Sequence, residues 1–125
     1  GHEIGSHTLS HPNLSNLNSS FKYDEIINSK KYLESKLNIK INKFAYPFGS
    51  PSNIDNESVN FIKKSYKNAF TNVRGSILKS PSNYLILRQN IVPGMPFWLT
   101  DAIVDSKLDF LYVKQRKNLY NICQI

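Results

Sequence analysis

Short apolar stretches of strand length alternate with helix-length segments along this chain, and that alternation constrains its fold more than any other feature. "HEIGS" (2–6) reads as a short buried strand. Over 19–37 the pattern is helical: Tyr23, Ile26, Ile27, Leu33 and Leu37 recur at roughly helical spacing, with Ser19 or Ser20 as cap. Asp24 and Glu25 early and Lys36 late suit the helix dipole. "NKFAYPFGS" (42–50) is a second strand, stopped by Pro47 and Gly49. "NIDNESVNFIKKSY" (53–66) is a second helix, capped or opened by Asp55, with Val59, Ile62 and Tyr66 on one side. "NAFTNV" (68–73) is a third strand, "RGSILKSPSN" (74–83) a loop, and "YLILRQNIV" (84–92) a fourth strand ended by Pro93 and Gly94. The tail, 96–120, is mostly helical, with Trp98, Ile103, Leu108 and Leu111 as core contacts. Strand and helix in this order predict parallel β/α units.

At 125 residues there is room for one core, so the expectation is a single irregular α/β domain, or part of a larger one, over 1–125. Cys123 is the only cysteine, which excludes an internal disulfide. No histidine lies near it in sequence, so it reads as a small indifferent thiol rather than a nucleophile. No apolar run approaches the length that crosses a bilayer, and residues 1–11 do not form a signal peptide. Gly1 is not a natural start, which predicts missing upstream sequence and leaves the compartment open. The net charge of +7 is spread out: Lys30–Lys31, Lys63–Lys64 and the "KQRK" run (114–117) sit in helix-like stretches. They read as solvated helix faces, and with no nucleic-acid motif present, nucleic acid is not an expected partner.

His2, His7 and His11 are the only histidines, and two of them fall in "GSHTLSHPNL" (5–14). Neutral imidazoles four residues apart suit one zinc-like ion from a helical turn or a tight loop. Pro12 disfavours helical geometry at His11, so a loop is expected. The spacing alone is weak evidence, and on it solvent-exposed loop histidines are the favoured reading.

The surroundings add to this. "GHEIGSHTLSHPNL" resembles the metal-binding motif of the polysaccharide deacetylases of the NodB-homology class (carbohydrate esterase family 4). There a strand G-H-E-[IV]-[GAS]-[SN] leads into H-[ST]-x-x-H-P. "FAYPFG" (44–49) resembles the same family's R-x-P-[FY]-G segment in its arginine-less form, about a helix further on, and "LRQNIV" resembles the closing part of several members. The resemblance covers most of the chain. It implies a partial, irregular (β/α) barrel of the NodB type and a metal-dependent hydrolase of N-acetyl groups on polysaccharide amino sugars. His7 and His11 would be metal ligands, zinc first, with cobalt or nickel able to take the same nitrogens. His2 would be structural. Tyr46, Pro47 and Phe48 would line the substrate pocket, with core packing the stronger role for Tyr46, and the Phe48 backbone N–H would stabilise the oxyanion. An N-acetylated polysaccharide would be the partner, and an extracytoplasmic or cell-envelope location would follow.

One part of that family's machinery has no counterpart here. Its third ligand and base come from a paired aspartate on an upstream strand, and this chain has no Asp-Asp pair. Asp24 and Asp55 belong to helix starts, and Asp101, Asp105 and Asp109 read as a solvated helix stripe. No histidine follows His11 to act as acid, and Ala45 stands where other members carry arginine. The expectation is therefore a C-terminal part of a deacetylase, inactive alone, or a non-catalytic carbohydrate-binding remnant. If a base were present after all, Glu3 and Asp55 are nearest the two motifs. A barrel piece without its opening strand also predicts marginal stability, or self-association through the exposed edge.

Overall fold

The computed structural model of the protein describes residues 1–123, the Cys123 side chain excepted, so the expectation for that thiol lies outside the described residues. Asn18, rather than Ser19 or Ser20, caps the first helix: its side chain accepts the Phe21 N–H at 3.0 Å. The helix runs as α1 (Ser19–Tyr23), a π turn (Asp24–Asn28) and α2 (Ser29–Leu37), and stops at Asn38 in the left-handed conformation (φ 53°). The π turn carries an extra residue, which offsets the helix phase beyond it. Ile26 is accordingly buried and Ile27 and Leu33 pack partly on the core, whereas Tyr23 and Leu37, expected on the same stripe, are exposed.

β1 (Lys43–Ala45) and β2 (Asn68–Phe70) pair in parallel, with Phe44 opposite Ala69. Between them α3 (Asn56–Ser65) starts at Asp55, whose carboxylate accepts the Ser58 N–H at 2.8 Å. Val59, Ile62 and Tyr66 are buried as the spacing predicts, against Phe44, Tyr46, Ile26 and Ile41. Each such side chain contributes about 1.5–3 kcal/mol when fully buried.

The strands at 2–6 and 84–92 shrink to single parallel bridges, Ser6 with Phe44 and Ile86 with Phe70. The order of four parallel segments is the expected one, but their lengths are not. β1 ends early because Pro47 lacks a donor and Phe48 and Gly49 take positive φ (58° and 66°). The outer two segments pair on one side only among the described residues, so little extends them into ladders. The described residues do not close into a barrel.

The C-terminal helix is broken into α4 (Phe97–Val104), a 3-10 turn (Asp109–Tyr112) and α5 (Val113–Cys123), with Ser106 at φ 60° in the break. Trp98 (70% exposed), five residues from Ile103 and so on another face of α4, and Leu111 (61%), beyond the break, lie outside, against expectation; Ile103 is buried, Leu108 half-buried, and Leu119 reaches the core. Asp109 also departs from the solvated stripe. It is buried and accepts from Lys79 Nζ (3.3 Å), the Ser76 N–H (3.4 Å) and Gln89 Nε2 (3.4 Å). Among the described residues no helix is long and apolar enough to cross a membrane.

Candidate metal centre

Ser6 fastens the histidine segment to β1: its N–H donates to Lys43 O (2.8 Å) and its carbonyl accepts the Ala45 N–H (2.9 Å). The next residue, His7, places Nδ1 2.8 Å from the Ala45 carbonyl. A carbonyl only accepts, so Nδ1 carries the proton and the Nε2 lone pair is left for another partner. Ala45 thus meets the histidine through its backbone carbonyl, not its side chain.

Beyond His7 the chain turns sharply. Thr8 and His11 both have left-handed backbones (φ 67° and 60°), so His11 is non-helical as Pro12 requires. The Thr8 hydroxyl donates to His7 O (2.5 Å) and accepts the His11 N–H (3.1 Å), closing the loop on itself. The two imidazoles, both exposed, come together with ring centroids 4.7 Å apart at 68°. Neither ring contact of the pair involves His2, which is exposed.

Phe48 forms the adjoining wall, its ring 4.8 Å from that of His11. It sits at the apex of a tight turn in which the Gly49 N–H donates to Pro47 O (2.6 Å). A Cβ on Gly49 would lie 2.6 Å from the Asn72 backbone nitrogen, so only glycine allows the turn to dock on the end of β2. The Phe48 N–H donates to no protein group among the described residues, and the side chain is 55% exposed. Pro47 is buried. Tyr46 is 1% exposed, stacks edge-on with Phe44 and donates its hydroxyl to Tyr84 O at 2.9 Å. It is a core residue that supports the turn from below.

The two carboxylates nearest the motifs in sequence serve elsewhere. Glu3 pairs with Lys43, and Asp55 caps α3 while pairing with Lys22. Among the described residues no group of three His, Cys, Asp or Glu side chains converges on a metal position. The neighbouring, exposed imidazoles of His7 and His11 would suit two nitrogen donors of a zinc-type site. Glu25, read from sequence only as a helix-dipole residue, reaches the loop: its carboxylate takes the Leu9 and Ser10 N–H groups and the Ser10 hydroxyl. Burial alone would raise its pKa, but these bonds outweigh it and hold the carboxyl below its ordinary value. The available signal was an acidic residue early in the helix after a loop whose amides have no strand to pair with.

Comparison with known proteins gives a consistent likeness. A solved deacetylase from Streptococcus pyogenes, PplD in complex with acetate, superposes with a TM-score of 0.68 at 24% identity, over 82% of this chain and 43% of its own. BC0361, a polysaccharide deacetylase from Bacillus cereus, gives 0.58 at 26% identity, over 69% and 27%. BA0330 from Bacillus anthracis gives 0.66 at 23%, over 83% and 31%. This chain thus spans less than half the length of each. No curated protein matches significantly. The family profile described as polysaccharide deacetylase matches residues 1–67, which carry both the histidine loop and the Pro47–Gly49 turn. With more than half of its length matched, this chain belongs to the polysaccharide deacetylase family.

Proposed function

We propose that the chain is part of a metal-dependent hydrolase that removes N-acetyl groups from a polysaccharide amino sugar. The observation that carries this is the convergence of the His7 and His11 rings, 4.7 Å apart, beside the Phe48 turn, whose N–H has no protein acceptor among the described residues. In this reading His7 Nε2 and a His11 ring nitrogen hold a divalent cation, zinc before cobalt or nickel. When bound, such an ion polarises the acetyl carbonyl and lowers the pKa of a bound water. The Ala45 carbonyl holds the His7 tautomer that leaves Nε2 as a donor atom. The Phe48 N–H donates to the acetyl oxygen as negative charge develops on it, a role typically worth about 10²–10³ in rate for one donor. The exposed Phe48 ring borders the acetyl group, and Pro47, expected beside it, is buried and holds the turn from behind.

The third ligand and the base come from carboxylates outside these 125 residues, and the whole is a partial (β/α) barrel of one NodB-type domain. An extracytoplasmic site of action at the cell envelope accords with a polymeric substrate. A second reading, a non-catalytic carbohydrate-binding remnant, is favoured by the absence of a three-residue ligand cluster among the described residues.

Zinc calorimetry and acetate release from N-acetylglucosamine oligomers distinguish the two. His7→Ala and His11→Ala should each abolish most zinc uptake, whereas His2→Ala should keep it. The 125 residues alone should release little acetate, because general-base help is worth about 10²–10⁴-fold. A chain extended upstream should turn over. Equal zinc loss from all three substitutions overturns the ligand assignment; an inactive extended chain that still binds the oligomer favours the remnant.

A further inference from the structure

The histidine loop has no strand beside it, yet two of its residues have left-handed backbones. Such conformations cost of order 1–3 kcal/mol each and persist only when the surroundings enforce them. Two independent fastenings run from the loop to the π turn Asp24–Asn28 and to Ser29, the first residue after it. At the loop entrance, Ser6 Oγ lies 2.7 Å from Ser29 Oγ. Ser29 Oγ donates to the Ile26 carbonyl (3.0 Å), which also accepts the Tyr66 hydroxyl (2.7 Å). At the loop centre, Glu25 Oε2 accepts the Leu9 N–H (2.7 Å) and the Ser10 N–H (2.9 Å), while Oε1 accepts the Ser10 hydroxyl (2.5 Å).

We infer that Glu25 is a positioning residue that sets the relation of His7 to His11 by clamping the two residues before His11, Leu9 and Ser10. The inference rests on the reading of His7 and His11 as a ligand pair. Both backbone N–H groups go to one oxygen, so what the loop needs is an acceptor at that point rather than a charge. The oxygen of a glutamine amide supplies it, and the Ser10 hydroxyl can rotate to accept from the amide nitrogen.

The test uses Glu25→Ala and Glu25→Gln in the full chain, first without metal and then with zinc. Without metal, Glu25→Ala should speed amide exchange at Leu9 and Ser10 and move the imidazole nitrogen shifts of His11. With zinc, it should weaken uptake by about 10–100-fold, with Glu25→Gln within about threefold of the parent. Parent-like exchange, shifts and affinity in Glu25→Ala overturn the proposal, and so does a Glu25→Gln protein as impaired as Glu25→Ala. If the parent takes up no zinc, the ligand reading fails, while metal-free exchange and shifts still decide the role of Glu25. Should Glu25→Ala unfold, Glu25→Asp replaces it: keeping the charge but shortening the reach, it must loosen the loop where glutamine does not.

Discussion

At the scale of single residues, Gly49 decides whether the Pro47–Phe48 turn can sit where it does. Its φ of 66° is left-handed, and the space a Cβ would need is filled by the Asn72 backbone. Gly94 shares a positive φ (83°) but has open space around it. Gly49→Ala should therefore lose about 2–3 kcal/mol, since strain and a backbone clash combine, against about 1 kcal/mol for Gly94→Ala. Urea unfolding of the two variants measures the difference, and equal losses would mean that φ alone matters. Because the clash moves the turn, Gly49→Ala should also separate the Phe48 and His11 rings, read as a loss of the ring-current shift on His11.

Between elements, a buried lysine joins α1 to α3. Lys22 is 5% exposed, and its ammonium donates to Asp55 (2.5 Å) and Glu57 (2.8 Å), while Ser19 also donates to Glu57. For Asp55 burial pushes the pKa up, but bonds from Lys22 and Ser58 outweigh it and hold it below its ordinary value. The Lys22 bond and then Ser19 do the same for Glu57. Lys22 is opposed by burial too, yet its two carboxylate partners raise it. A carboxylate depressed by folding stabilises the fold above its unfolded value and loses that contribution as pH falls through the folded one. A raised lysine stabilises below its unfolded value and loses its contribution as pH climbs through the folded one. Melting temperature should thus be level near neutrality and fall both below the ordinary carboxylate range and above the ordinary lysine range. Lys22→Met should cost about 2 kcal/mol at neutral pH and flatten the acid limb. A variant with an acid limb as steep as the parent's would place the proton linkage elsewhere.

For the molecule as a whole, several of the large apolar side chains left exposed lie towards the C-terminal end. Phe97 (80%), Trp98 (70%) and Phe110 (67%) stand out to solvent with Leu111 and Val113. Surfaces of this kind associate, and the net charge of +7 opposes association until salt screens it. Sedimentation of the 125 residues should show mass rising with concentration and with salt, and the double change Phe97→Ser with Trp98→Ser should suppress it. A concentration-independent monomer at high salt would contradict this.

Much of the candidate site was legible because its chemistry is local. The four-residue spacing of His7 and His11, the proline after His11 and the Pro47–Phe48–Gly49 turn are properties of adjacent residues. So is the Asp55 cap, along with the buried face of α3, where spacing and capping agree. The parallel order of strands followed from the same alternation. Strand length did not, because a strand exists only as far as a neighbour supplies its hydrogen bonds, and the outer two segments have one bridge each. Helix phase was lost at the π turn, which adds a residue to the helix, and again at Ser106, whose left-handed backbone re-aims the side chains beyond it. The burial of Lys22 and Asp109 depends on partners tens of residues away, as does the grip of Glu25 on Leu9 and Ser10. Which groups this protein has for its chemistry, and where its chain must turn, can be read from neighbours along the chain. Which charges are buried and what holds the histidines cannot, because a buried charge or a strained loop is stable only once distant segments have brought its hydrogen-bond partners to it.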